Sequence, residues 1–524
     1  MRTAAVFSDN MVLQRHKNIR VFGTCCGSER HITVSIPELS AKADAVITGN
    51  RWEAILPALP ECDCCSLVVT CGAIQKIFSS VAIGEVWLAG GQSNMEYELR
   101  NDKHGAEELR GSSDHNVRFY YTPKHSMLGE EHAAAEAASR WETASEKNSA
   151  AWSAVGWYFA KELSRRLGCT VGIIGCNWGG TSASAWVPRD VLEGSAKLHS
   201  YIDEYDSAVA GKSDEQMIAE YDEYTVSHAE WEKHAASCRA ENPDISWTEL
   251  QEKIGISRYP GPMGIKNPMR PCGLYETMIS RILPYTIKGV LWYQGESDDN
   301  RPEIYYDLMS ALIQCWRGKW HDDGLAFLIV QLPMFRYKDD PDFKHWAYIR
   351  EAQMRLFLTI KNTGLAAALD CGEFNNIHPT DKSVVGHRLF LQAMSEVYGL
   401  MDKADTMPPM FGFFEVRHGS TMIVYLNNPS RGLESSNAPD GFELAGADGV
   451  YFPADSAEIY GNQIHIACEK VKHPVNVRYK WTNYAEVELF GSNGIPVLPF
   501  RTDSFPMEDT LSASDAENTA DIAT

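Results

Sequence analysis

The chain changes its hydrophobic rhythm twice. Over residues 1–81, apolar and polar positions alternate in short runs such as NIRVFGT (18–24) and HITVSIPE (31–38), with Gly, Asn and Pro between them. Period-two alternation broken by turn residues predicts short strands with one buried face each, and so a small β-sandwich. From about Ile83 the strands become nearly continuous apolar runs: GEVWLAGG (84–91), CTVGIIGCNWGG (169–180), KGVLWYQGES (288–297), LAFLIVQLP (325–333) and TGLAAALD (363–370). Helix-like stretches lie between them, as at 151–168, where Val155, Phe159 and Leu163 recur at four-residue spacing. Strands apolar on both faces, alternating with amphipathic helices, predict a parallel α/β sheet. After Asp405 the short alternating segments return (FGFFEVRHG, TMIVYLNN, QIHIACEK, VNVRYKW) and predict a second small β domain.

Two segments stand outside this pattern. Residues 196–258 interrupt the α/β alternation with charged helix. Ser213 and Gln216 are spaced as a capping box, and Met217, Tyr221, Tyr224, Trp231, Ala235 and Cys238 recur at three-and-four spacing. This reads as a helical insertion packed on the core, with a lid or substrate wall as the functional alternative. Residues 507–524 carry five acidic side chains and no basic ones, which predicts a disordered tail. The expected division is 1–81, 82–405, 406–505 and 506–524.

Composition narrows the function classes. Hydrophobic residues make up 44% and charged residues 23%, which excludes bulk disorder. Seventy acidic against 48 basic residues leave a net charge of −22. A field of that sign repels phosphate backbones and anionic lipid, so neither nucleic acid nor a membrane surface is an expected partner. No apolar run approaches the ~18 residues that span a bilayer. The opening MRTAAVFSDNMVLQ has no continuous apolar stretch of the signal-peptide kind. Thirteen cysteines, with Cys25–Cys26 and Cys64–Cys65 adjacent, suit reduced thiols better than a disulfide framework. Cys62 and Cys65 form a C-x-x-C without the second pair that structural zinc needs. A cytoplasmic location is expected, or export if a signal was trimmed. No metal or cofactor is expected, since the HExxH and EF-hand patterns are absent.

Candidate chemistry gathers just after the carboxyl ends of the apolar strands. GGQSNM (90–95) places Ser93 in a Gly-rich turn from which a hydroxyl can point above the sheet. This is not the G-x-S-x-G elbow, because Met95 stands where the last glycine would be. Three other strand ends add partners: Asn177-Trp178-Gly179-Gly180-Thr181, Gln294-Gly295-Glu296-Ser297 and Ile377-His378-Pro379. A nucleophile, a base and hydrogen-bond donors on one sheet edge are what acyl transfer requires. Trp178, Trp186 and Trp292 read as core or as sugar-stacking platforms, and Arg350 as structural or as a carboxylate fork.

These blocks resemble the sialate O-acetylesterases, a branch of the SGNH (GDSL-like) hydrolases that includes other carbohydrate acetylesterases. The resemblance runs through FSDNMVLQR (7–15), GEVWLAGGQSNM (84–95), NWGGTSASAW (177–186), GVLWYQGESD (289–298), YIREAQ (348–353) and IHPTDKSVVGHRL (377–389). It implies a flavodoxin-like three-layer hydrolase domain with flanking β-sandwich domains and an O-acetylated sugar as substrate. It also implies Ser93 as nucleophile and His378 as general base. The oxyanion hole it implies consists of the amides of Ser93 and Gly179 (or Gly180) and the side chain of Gln294, with Glu296 buttressing that loop.

One departure matters. Many relatives carry Asp three residues before the catalytic His, where this chain has Asn375, followed by Asn376. Asp370, Glu373 and Asn376 are the nearby groups that could support the ring, and a Ser–His dyad held by a backbone carbonyl is the favoured alternative. The leading expectation is a serine esterase acting on O-acetyl sialic acid. An acetylxylan-type esterase and a non-catalytic glycan-binding protein are the alternatives.

Overall fold

The computed structural model describes residues 1–26, 31–114, 116–242, 245–338, 340–427 and 430–506. The tail expected to be disordered lies, from residue 507 on, outside the described residues. The protein is a mixed α/β structure with several sheets.

Six strands form its centre: β1 (Ile74–Gly91), β2 (Val117–Tyr121), β3 (Val171–Asn177), β4 (Gly289–Tyr293), β5 (Ala326–Gln331) and β6 (Thr363–Ala367). They run parallel in the order β2-β3-β1-β4-β5-β6, and a two-residue strand, Glu142–Thr143, pairs antiparallel with β2 at the edge. Every residue of β3 to β6 is buried, as expected of strands covered on both faces. The pattern reading passes over β2. Its sequence, VRFYY, is only partly buried and lies near the sheet edge, so it lacks the continuous apolar run that marks the inner strands.

Helices cover the sheet in two pairs. Helix α1 (Ala154–Leu167) packs on α5 (Ser383–Gln392), while α3 (Tyr305–Trp320) packs on α4 (His345–Thr359). Helix α1 begins where Ser153 accepts a hydrogen bond from the Gly156 amide and ends at left-handed Gly168. Its Val155, Phe159 and Leu163 are fully buried. Burial of each such side chain contributes about 1.5–3 kcal/mol. Helix α2 (Asp214–Glu241) carries the capping box of Ser213 and Gln216, and buries Met217, Tyr224, Ala235 and Cys238.

The texture change near Ile83 falls inside one continuous strand. The first half of the 18-residue β1 pairs antiparallel with Cys62–Cys71, and its second half enters the parallel sheet between β3 and β4. The N-terminal strands therefore share one hydrophobic core with the central sheet. The C-terminal strands, in three sheets over Met410–Arg501, have their own core around Val424, Leu444, Ile464 and Val477.

The strand order fixes where a site can form. From β1 the chain fills one side with β2 and β3, then crosses to the other with β4, β5 and β6. The connection after β1 runs towards β2 and that after the neighbouring β4 runs towards β5, so the strand order reverses between β1 and β4, the position where open α/β sheets form a ligand crevice.

Candidate active site

Ser93 sits at that crevice. It follows β1 directly and opens the short helix Ser93–Glu96. The turn depends on Gly91, which has φ +133°; a Cβ there would lie 2.1 Å from the Tyr293 carbonyl oxygen on β4. No other residue fits that approach. The Ser93 amide belongs to the first turn, where backbone N–H groups lack intrahelical partners.

His378 reaches Ser93 from a loop 285 residues away, with Nε2 2.8 Å from the Ser93 Oγ. The ring is held below its usual pKa, at about 4, first by burial and then by the nearby Lys382 cation, with Glu96 opposing. His378 is thus neutral at physiological pH and able to accept a proton. If it acts as base, kcat/KM should stay level from neutral pH and fall only as pH drops through about 4. A pH–rate profile measures this, and an acid limb near 6.5 would contradict it.

The groups considered as supports for the ring are engaged elsewhere. Asp370 forms an ion pair with Arg388 of α5, Oδ2 to Nη2 2.8 Å. Glu373 accepts from the Thr380 amide at 2.8 Å, the Thr380 hydroxyl at 3.0 Å and Asn376 Nδ2 at 2.8 Å, closing the loop that carries His378. Asn376 Oδ1 accepts from the His378 backbone amide at 3.1 Å. Asn375 takes a left-handed φ of +61°, which Asn tolerates better than most residues. Its side chain turns away from the ring and accepts from the Lys338 amide at 3.1 Å.

The donors expected around an oxyanion are differently disposed. Gln294 is fully buried. Its Nε2 donates to the Thr181 carbonyl at 3.2 Å and to Asp298 Oδ2 at 2.6 Å, while its Oε1 accepts from Tyr305. Both amide hydrogens are committed, so Gln294 braces the loops after β3 and β4 and does not present a free donor. Asp298 completes that brace, accepting from Ser182, the Ala183 amide and Tyr201. Gly179 lies beside Ser93, where a Cβ on it would stand 3.3 Å from the Ser93 Cβ, but its amide donates to Glu96 Oε2 at 2.7 Å. Glu96 is also ion-paired with Lys124. Gly180 packs against the Tyr259 hydroxyl, so the chain just beyond the helical insertion contacts the loop after β3.

Behind Ser93 lies a buried polar relay. Lys382 Nζ donates to Asn94 Oδ1, and Asn94 Nδ2 donates to Glu296 Oε1 at 2.6 Å and to the Ile377 carbonyl at 3.0 Å. One amide next to the nucleophile thereby joins a buried cation, a buried carboxylate and the residue before His378. Burial pushes the Lys382 amine down to about 8 and the Glu296 carboxyl up. Asn94 and Lys382 both fall inside the motif blocks of the sequence, yet nothing in their spacing marks them as partners. Trp186 and Trp292 are fully buried in edge-to-face contact at 6.3 Å, whereas Trp178 is half-buried. Arg350 is fully buried and donates to the carbonyls of Pro333 and Thr482.

Among the described residues, no cluster of three His, Cys, Asp or Glu side chains could hold a metal ion. No described helix is long and apolar enough to cross a membrane.

Comparison with known proteins gives this arrangement a context. Residues 261–395, which include His378 but not Ser93, match the family described as carbohydrate esterase, sialic acid-specific acetylesterase. The mouse sialate O-acetylesterase is 27% identical over 342 residues, covering 61% of this chain and 57% of that protein. The rat sialate O-acetylesterase is 26% identical over 434 residues, covering 76% and 74% respectively. Among solved structures, a carbohydrate acetylesterase from Xanthomonas citri superposes with a TM-score of 0.74 at 27% identity, covering 96% of this chain and all of that one. Residues 261–395 thus match the sialic acid-specific acetylesterase family, and the chain is similar in sequence to sialate O-acetylesterases and in architecture to a carbohydrate acetylesterase.

Proposed function

We propose that the protein is a serine esterase that removes O-acetyl groups from sialic acid. The observation that carries this reading is the 2.8 Å contact between Ser93 Oγ and His378 Nε2 at the crevice of a parallel sheet. The relatives named above support the substrate class. The order of the central strands supports an SGNH-type hydrolase domain over about 82–405, and the separate C-terminal core supports a small β domain at 406–505; the β-sandwich read at 1–81 would share a strand and a core with the hydrolase domain.

The mechanism follows from the geometry. Ser93 Oγ attacks the acetyl carbonyl carbon while His378 Nε2 takes the hydroxyl proton. The tetrahedral oxyanion accepts from the Ser93 amide, and from the Gly179 amide if that donor exchanges Glu96 Oε2 for the oxyanion, Glu96 keeping its ion pair with Lys124 through Oε1. The C–O bond to the sugar breaks and the sugar oxygen leaves with the proton from His378. Water, deprotonated by His378, then attacks acetyl-Ser93; acetate departs and Ser93 recovers its proton. Asp370 and Glu373 are bound elsewhere, which supports a Ser–His dyad without a third carboxylate.

The test compares acetate release from a chromogenic acetyl ester, O-acetylated sialic acid and acetylated xylan. Hydrolysis of all three with preference for the sialate is expected. Turnover of xylan alone would move the assignment to another carbohydrate acetylesterase. Absence of release from any substrate, with sugar binding retained, would make the protein a glycan-binding module.

A further inference from the structure

We infer that Arg336 is the anchor for the carboxylate of an acidic sugar, in a subsite next to the catalytic histidine. The inference rests on the esterase reading and deepens it by naming the residue that distinguishes an acidic from a neutral sugar.

A cavity of about 220 Å³ opens beside the site, lined among others by Glu296, Asp299, Phe335, Arg336, Trp346 and Ile377. Ile377 directly precedes His378, and Glu296 belongs to the relay behind Ser93. The cavity is therefore continuous in chain and contact with the catalytic loops. At about 30 Å³ per water it has room for roughly seven waters, enough for the acidic end of one sugar ring.

Arg336 is the cation of this cavity. It is half-buried, and its Nε is buried without a hydrogen-bond partner. Among the described residues, none of the ion pairs involves it, although most arginines in or near the core do pair, as Arg388 does with Asp370 and Arg501 with Glu351. Its backbone carbonyl accepts from the Asn375 amide at 3.0 Å, which fixes it against the loop that carries His378. A partly desolvated guanidinium without an ion-pair partner matches the geometry of a carboxylate, which its terminal Nη groups, rather than the enclosed Nε, can bind through two parallel N–H groups. In a chain of net charge −22, binding an anion also requires such a local cation.

Three carboxyl residues, Glu296, Asp299 and Asp340, share the lining with Arg336, and the aromatic part of it suits a sugar. Phe335 and Trp346 meet with ring centroids 4.9 Å apart and offer an apolar wall for ring carbons or an N-acetyl methyl. Asp299 accepts from Trp346 Nε1 at 3.3 Å. Burial pushes its carboxyl up to about 7, so near neutral pH it is in part a donor rather than a fixed opposing charge.

The experiment measures steady-state kinetics of wild type, Arg336→Met and Arg336→Lys on O-acetylated sialic acid, on its carboxylate methyl ester and on a chromogenic acetyl ester. Arg336→Met should lose about 10- to 100-fold in kcat/KM on the free acid, chiefly through KM, with less than about threefold change on the two neutral substrates. Arg336→Lys should recover part of the loss, since it keeps the charge without the fork. Equal losses on all three substrates would assign Arg336 to loop structure, and no loss on the free acid would remove it from the site; either overturns the inference while leaving the esterase reading intact. A wild-type protein that cleaves the neutral esters but not the acid overturns the sialate reading and this inference together.

Discussion

Ser93→Ala is expected to lower kcat for acetyl ester hydrolysis by on the order of 10⁶, leaving only the rate that binding and oxyanion donors supply without a nucleophile. The size follows from the mechanism: without Oγ there is no acyl intermediate, and His378 has no proton to accept. The fold should be unaffected, because Ser93 is half-buried and its hydroxyl contacts only the His378 ring among the hydrogen bonds described. Kinetics on a chromogenic ester, paired with a thermal melt, separate loss of chemistry from loss of structure. Retention of more than about a tenth of wild-type kcat in a folded variant would falsify the assignment.

The second large effect is expected from the relay behind Ser93. Lys382→Met removes a buried cation that holds the Asn94 amide oxygen, and it leaves the Glu296 carboxyl without its nearby positive charge. Breaking one side of a buried charge arrangement costs about 3–5 kcal/mol, since the remaining group is stranded in a poorly solvating interior. Activity should fall as well, because Asn94 also holds the Ile377 carbonyl and so sets Ser93 and His378 in register. The discriminating variant is the double substitution Lys382→Met with Glu296→Gln. With both charges gone, at least half of the lost stability should return. Denaturant midpoints measure it: a single-variant loss under about 1 kcal/mol, or a double variant no better than the single, would rule out the coupling. The pH profile gives an independent sign. Burial keeps His378 low with or without Lys382, but removing that cation makes the imidazolium less unfavourable, so the acid limb should move up from about 4.

Much of this was legible in the sequence, for a reason particular elements make plain. Val155, Phe159 and Leu163 state their buried face through spacing alone, and Ser213 with Gln216 states a helix start through local hydrogen-bond chemistry. The inner strands declare themselves as uninterrupted apolar runs because both of their faces are covered. The motif turns after β1, β3 and β4 and the IHP loop likewise stand where a parallel sheet brings loop ends together. β2 escaped because a strand next to the sheet edge is only partly covered and needs no such run.

What the sequence by itself determined, then, is the alternation of elements and the set of residue types gathered at one sheet edge. These depend on interactions within a few positions of the chain, namely helical and strand periods, caps and glycine turns. Only the tertiary structure decided how those residues are used. It brought His378 onto Ser93 across 285 positions, turned Gln294 inward onto Asp298, set Glu96 on the Gly179 amide and joined Lys382 to Glu296 through Asn94. It also tied Asp370 to Arg388 and turned Asn375 towards Lys338, leaving Arg336 without an ion-pair partner among the described residues. A side chain's direction and partner are set by loops that approach from distant parts of the chain, and local pattern carries no information about which donor or charge will arrive there.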